Sequence, residues 1–138
     1  MSQLAAIRDA LKNTVKDNVP VLRVYDTVPE VANLPAVVVE PVSCDYAISM
    51  SSDTTWHFEL IVMVPRVDSV RGQDELDTYV AAYGPTSIRK VIFDHCDLGL
   101  TDTDAIVTGM TGYGGSHKAS GIDHLGAVLK VSVTTGTA

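Results

Sequence analysis

The spacing of apolar residues at the start of the chain predicts an amphipathic helix. Apolar side chains recur there every three to four residues with charged side chains between them, which is typical of a helix with one buried face. Ser2 is placed to cap the start of this helix, and Pro20 lies beyond its end. The apolar positions are Leu4, Ile7, Leu11 and Val15.

Two stretches that follow are typical of strands. Residues 21–29 alternate apolar and polar side chains, which indicates a short strand. Residues 36–41 form a β-branched run bounded by Pro35 and Pro41. Because this run is apolar at consecutive positions, we expect it to be covered on both faces. Residues 43–54 have the composition of a loop or a hairpin.

Residues 54–65 give the clearest strand pattern in the first half of the chain. One face is apolar from Trp56 to Val64, whereas the other begins polar and turns apolar at Ile61 and Met63. The first face therefore contributes to the core, and the apolar half of the second face needs another cover.

The second half of the chain predicts a broken helix followed by two strands. Residues 73–83 and 86–96 have helical spacing, and Gly84-Pro85 interrupts them because proline disfavours a helical residue before it. Residues 105–114 indicate a strand weakened by glycine, and residues 125–134 alternate regularly.

These elements predict one α+β domain that spans residues 1–138. Their order favours a mainly antiparallel sheet of four to five strands with helices packed on one face. Residues 111–124 are rich in glycine and are predicted to be a mobile arm between two strands. The extra apolar strand surface fits either a subunit completed by its neighbours or a monomer covered by its own helices.

The charge balance excludes a protein that binds nucleic acid through a basic surface. Ten Lys and Arg stand against 17 Asp and Glu, and the resulting net charge of −7 repels phosphates. We expect a soluble protein, since the first residues lack a signal peptide and no apolar run approaches the ~20 residues that span a membrane. Cys44 and Cys96 are expected to be buried free thiols, although a disulfide between them stays open.

Motifs for phosphate binding or nucleophilic catalysis are incomplete in this sequence. The glycines at 112–115 precede a strand rather than a helix, and Lys118 has no Walker-type neighbours. No serine stands in a G-x-S-x-G elbow. We therefore predict no catalytic residues and no cofactor.

Metal binding has a similarly weak basis. His117 and His124 lack the spacing of a zinc pair, and the acids that follow the last helix lack the pattern of a calcium loop. A solvated turn is the expected role of those acids, with weak divalent binding as an alternative, and no metal ligand is predicted.

Seven segments, taken together in their order and spacing, resemble one known family. They are LPAVVVEP (34–41), DY (45–46), WHFELIVMV (56–64), QDELDTYV (73–80), SIRKVI (87–92), GYG (112–114) and HLGAVLKVSV (124–133). The family is that of the tail terminator proteins of long-tailed, non-contractile bacteriophages. The resemblance covers nearly the whole chain, with one departure at His124, where the family often carries an aromatic residue.

The resemblance implies a non-enzymatic α+β subunit that forms a hexameric ring at the head-proximal end of the phage tail tube. Such a ring stops tube polymerisation and offers the surface for head–tail joining. Its implied partners are other copies of itself, the major tail tube protein and the head–tail connector or stopper protein. DNA would pass through the lumen without specific binding, no membrane is involved, and the ring would lie in the virion neck after assembly in the bacterial cytoplasm.

Three sets of residues are predicted to carry this function. The subunit interface would use Ile61, Met63, Tyr46 and Met50. The partner-binding arm would use Tyr113, His117, Lys118 and His124. The acids of the lumen would be Asp97, Asp102 and Asp104.

Other functions stay open at the level of sequence. The nearest is a head–tail connector or stopper protein, which completes the head in the same part of the virion. A small metal-dependent hydrolase that uses His117, His124 and nearby acids is an alternative from a different class, as is a small-molecule binding module.

Overall fold

One mixed sheet and three helices make up the part of the chain that the computed structural model describes, namely residues 3–25, 35–46, 54–64, 69–100, 103–119 and 122–135. The predicted α+β class and the mainly antiparallel sheet are confirmed. The helices are α1 (Gln3–Asn18), α2 (Ser69–Val80) and α3 (Ile88–Asp94). The strands are β1 (Arg23–Tyr25), β2 (Ala36–Tyr46), β3 (Thr54–Val64), β4 (Thr103–Ala119) and β5 (Ile122–Thr135).

The sheet has the strand order β1–β2–β3–β5–β4. Only the short pair of β1 and β2 is parallel, and every other pair is antiparallel. The central pair of β3 and β5 keeps an unbroken register from Thr54 opposite Thr135 to Val64 opposite Leu125. Because strand side chains alternate between the faces, this register decides which residues point towards the helices.

One face of the sheet, here called the helix face, packs against all three helices. Buried residues of the helices and of the central strands join in a single core cluster. The side chains of Phe58, Leu60 and Leu129 are at most 2 % exposed there. The helices contribute Ile7, Leu11 and Val15 from α1, Leu76 and Tyr79 from α2, and Ile88, Val91 and Ile92 from α3.

The opposite face of the sheet is covered only at one end. Ala36, Val38 and Met63 form a second buried cluster, with Tyr25 and Ile61 packed against it. The prediction that the start of β2 is covered on both faces is therefore confirmed for residues 36–39. Beyond this cluster the described residues of the opposite face are mostly polar and partly exposed, with Ile106 and Val128 as apolar exceptions.

The break between α2 and α3 lies where glycine and proline predict it. Gly84 adopts a φ of 132°, which L side chains rarely adopt. The buried Ser87 then caps α3, since its hydroxyl accepts a hydrogen bond from the backbone of Lys90 and donates one to the carbonyl of Ala81. Helix α2 starts before the predicted residue 73 and ends at Val80, so Tyr83 lies outside it and is 74 % exposed.

Strand β2 continues past Pro41 and pairs with β3 as far as Tyr46 opposite Thr54, so of the loop and the hairpin predicted for residues 43–54 the described residues show the arms of a hairpin. Proline lacks a backbone N–H and is tolerated in a sheet at an outer edge or a bulge. Pro41 satisfies both conditions, because β1 pairs only with residues 36–38 and the register of β2 against β3 shifts between Pro41 and Ser43.

The predicted mobile arm at residues 111–124 is a continuation of the sheet. Strand β4 runs to Ala119 and β5 starts at Ile122, so the two strands form a hairpin. The glycines of this segment are accommodated by shifts in register on β4, at 107/109, 111/114 and 114/117. The pairing of β3 with β5 ends at Val64 opposite Leu125, and beyond it the described part of the chain adds no third strand to the hairpin.

The burial of Met63 generates a stability prediction. Met63→Asp would place a carboxylate at a site that is 1 % exposed, and the free energy of unfolding should fall by about 3 kcal/mol or more. Tyr46→Asp is the matched control, because Tyr46 is 73 % exposed and should tolerate the charge. Chemical denaturation of both variants measures the difference. Equal midpoints for Met63→Asp and the wild type would contradict the burial of this side chain.

Candidate functional site

Five of the eight large apolar side chains that are exposed among the described residues lie on β2 and β4, on the two sides of the sheet, whereas Val21, Tyr83 and Phe93 lie elsewhere on the surface. Val42 and Tyr46 lie on β2 and are 55 % and 73 % exposed. Ile106 and Met110 lie on β4 and are 55 % and 42 % exposed. Scattered apolar side chains are normal on a surface, but their grouping along unpaired strand edges indicates contact surfaces.

The residues predicted for a subunit interface do not form one exposed surface. Met63 is buried within its own chain and Ile61 is half-buried beside it, so the end of the sheet that the sequence predicts to need a neighbour is already covered. Met63 thus packs within its own chain, and the role of Ile61 and Met63 at a subunit interface stays a prediction. Tyr46 is exposed as an interface residue must be, and Met50 lies outside the described residues.

The residues predicted for the arm lie along the hairpin of β4 and β5. The Cα positions of His117 and His124 are direct partners across it, and Lys118 pairs with Asp123. Tyr113 stands at the base, where its hydroxyl donates a hydrogen bond of 2.6 Å to Oδ1 of Asp77 on α2. This bond ties the base of the hairpin to the helical layer.

Two of the three predicted lumen acids are described, and both are exposed. The Oδ1 of Asp97 accepts a hydrogen bond of 3.0 Å from the backbone N–H of Gly99, so this carboxylate supports a turn. Asp104 lies near the start of β4, and Asp102 is outside the described residues. Asp97 also lines an open groove of about 670 Å³ with Asp9 and Asp17 of α1, which makes this surface acidic.

Three polar side chains, here called the polar cluster, meet on the opposite face of the sheet. His57 on β3 has its Nε2 2.7 Å from Oδ2 of Asp45 on β2 and its Nδ1 3.2 Å from the hydroxyl of Ser132 on β5. Since a carboxylate only accepts, Nε2 carries a proton and donates to Asp45, and in the neutral form of the ring Nδ1 accepts from the Ser132 hydroxyl. The order of acid, histidine and serine is that of a hydrolase triad.

The surroundings of the polar cluster are poorly suited to acyl transfer. Ser132 lies on β5, which is hydrogen-bonded to β3 on one side and to β4 on the other. The backbone N–H groups beside its hydroxyl are therefore used by the sheet and cannot form an oxyanion hole. The Asp45 side chain is 76 % exposed, and the adjoining depression of about 260 Å³ is open. The cluster thus links three neighbouring strands through side-chain hydrogen bonds.

Metal and thiol chemistry find little support in the described part of the chain. Its His, Cys, Asp and Glu side chains nowhere form a group of three that could hold a metal ion. Cys44 and Cys96 are both free, but Cys96 is exposed and Cys44 is half-buried, which corrects the expectation that both are buried. Partial burial raises the pKa of the Cys44 thiol, the charge of Asp45 adds to this effect, and a hydrogen bond with Tyr46 opposes it.

Comparison with known proteins adds no family assignment. The sequence matches none of the protein-family models against which it was compared, and none of the curated proteins. Within the described ranges, no helix combines the length and apolar character needed to cross a bilayer.

The link between Tyr113 and Asp77 gives a pH-dependent prediction. Its hydrogen bond to Asp77 raises the pKa of Tyr113, with smaller effects of desolvation and of the Asp77 charge in the same direction. A raised folded-state pKa means that the stabilisation is complete below the unfolded value of about 10 and is lost as the pH rises through the folded value. The difference in unfolding free energy between the wild type and Tyr113→Phe should be about 1 kcal/mol near neutral pH and shrink above pH ~10.

Tyr83→Phe is the matched control for this measurement, because Tyr83 is also exposed and its ring stacks 5.5 Å from the Arg89 guanidinium carbon. We expect the loss of the Tyr83 hydroxyl to leave the free energy of unfolding unchanged. A Tyr113→Phe variant as stable as the wild type at neutral pH would show that the hairpin base is not tethered.

The geometry of the polar cluster predicts that the Ser132 hydroxyl is a poor nucleophile. A fluorophosphonate probe should label Ser132 no faster in the wild type than in His57→Gln, because no oxyanion donors assist the attack. Peptide mass spectrometry of the treated protein measures the labelling, with Ser132→Ala as the blank. Fast labelling of Ser132 that requires His57 would contradict this prediction and favour the hydrolase alternative.

Proposed function

We propose that this protein is a phage tail terminator, a structural subunit that assembles as a hexameric ring on the head-proximal end of the tail tube. The ring stops tube polymerisation and offers the joining surface for the head connector. The segment resemblance over nearly the whole chain supports this proposal, and so does the α+β fold that the resemblance implies.

The observation that carries the proposal is the presence of two different open edges on opposite sides of one sheet. Rings require heterologous contacts, in which each subunit presents two different surfaces to its two neighbours. Among the described residues, the edge of β2 at residues 42–46, beyond the short strand β1, and the outer edge of β4 are such a pair, and each bears exposed apolar side chains. A closed ring is one of the few arrangements that leaves no edge exposed.

The charge distribution is compatible with DNA passage through such a ring. The chain carries a net charge of −7, and the groove between α1 and the segment after α3 is lined by exposed acids. Negative side chains facing a lumen repel the phosphates of a passing duplex and prevent it from binding. Asp97 and Asp104 are the described acids that we assign to this role.

Two measurements test the proposed function. Native mass spectrometry of the purified protein should show a hexamer that persists over a wide range of concentration. Electron microscopy of phage lysates that lack the protein should show tails of uncontrolled length, and purified protein should restore the normal length when it is added to growing tubes.

The outcomes separate the alternatives. Tails of normal length with heads that lose DNA would identify a head–tail stopper instead of a terminator. A strictly monomeric protein that is absent from finished virions would overturn the proposal altogether.

A further inference from the structure

We propose that neighbouring copies join by strand addition, with the outer edge of β4 at residues 106–111 pairing with the outer edge of β2 at residues 42–46 of the next copy. This inference rests on the proposed ring and specifies the contact that builds it. The five-stranded sheets of successive subunits would then form one continuous sheet around the ring.

The outer edge of β4 has the properties of an edge that can pair with an added strand. It ends the strand order, and residues 106, 108, 109, 110 and 111 are all exposed. Every second residue of an edge strand directs its N–H and C=O groups away from the sheet. The stretch from Ala105 to Tyr113 also carries no charge and no proline, so it lacks the usual devices that protect an edge.

The start of this edge is closed by the chain itself. The backbone N–H of Ala105 donates a hydrogen bond of 2.7 Å to the carbonyl of Cys96 in the segment after α3. A neighbouring strand can therefore pair only from residue 106 onwards, which limits the register of the contact.

Among the described residues, no strand pairs with residues 42–46 of β2 on the side away from β3. The parallel partner β1 reaches only to Val38, and Pro41 has no N–H to donate. From Val42 to Tyr46 all residues are exposed except the half-buried Cys44. The open stretch of β2 therefore has five residues and that of β4 has six. The first begins after Pro41, and the second begins after the hydrogen bond of Ala105.

Strand direction and charge both fit this junction. Along the sheet, β2, β3, β5 and β4 alternate in direction, so β4 runs opposite to β2. Neighbours in a ring repeat the same orientation, and the new pair is therefore antiparallel. Two chains with a net charge of −7 repel each other, but here an uncharged β4 edge meets a β2 edge with Asp45 as its single charge.

The alternation of faces predicts which side chains meet across the junction. Cys44 is the Cα partner of Trp56, and Met110 is the partner of Leu129, so both belong to the helix face. Ile106 pairs with Ser132 and belongs to the opposite face. Cys44 of one copy should therefore approach Met110 of the next and stay away from Ile106.

Disulfide trapping tests this contact with the native Cys44 as one partner. In a Cys96→Ser background, Met110→Cys should form on oxidation a ladder of covalent multimers up to the hexamer on a non-reducing gel. Val107→Cys, also on the helix face, covers a register shifted along the strand. Ile106→Cys is the matched control on the opposite face and should stay monomeric on the gel.

A second replacement identifies the partner of the new thiol. Adding Cys44→Ser to the Met110→Cys variant should abolish the ladder. Disulfide dimers that survive this change would show that β4 pairs with β4 of another copy, and would overturn the inference.

The mass of each variant before oxidation separates the two proposals. Native mass spectrometry could show hexamers while neither Met110→Cys nor Val107→Cys gives a ladder. The ring would then use other surfaces, so the proposed edge pairing would be wrong and the proposed ring would stand. Monomers for the wild type would end the proposed function itself. An independent test uses Met110→Lys. This variant should fail to form the ring, because a lysine on an edge opposes strand addition, and the unfolding midpoint of its monomer should stay unchanged.

Discussion

The register between β3 and β5 is the constraint on which the rest of the structure depends. Eleven consecutive residue pairs connect these strands without a shift, from Thr54 to Val64. A slip by one residue would move Phe58 and Leu60 out of the helix face and bring His57 and Glu59 into the core. Every surface discussed above, the polar cluster and the two edges included, has its position because this pairing holds.

The polar cluster shows how the exposed face reinforces that register. Asp45, His57 and Ser132 belong to three neighbouring strands, and their hydrogen bonds form only when those strands are aligned as observed. Hydrogen bonds of this kind contribute about 1 kcal/mol each. Their value lies in opposing alternative alignments on a face where apolar packing does not do so.

The sequence predicts the central strands well because their apolar spacing is regular. It does not predict the length of β4, since Gly109, Gly112 and Gly114 have the composition of a loop and are accommodated by shifts in register instead. Pro41 likewise suggests the end of a strand, but β2 continues past it, because a proline is tolerated where the strand lies at an outer edge of the sheet. The polar cluster is beyond sequence reasoning, since Asp45 and Ser132 lie 12 and 75 positions from His57 and meet only through strand pairing.

The register shifts on β4 have a consequence for assembly size. Each shift bends its strand and increases the local twist. In an assembly joined through sheet edges, that bend sets the rotation from one subunit to the next, and heterologous contacts whose rotations do not close propagate as filaments. If copies of this protein join as proposed, the geometry of the backbone at residues 107–109 would decide between a closed object of fixed copy number and an endless helical polymer.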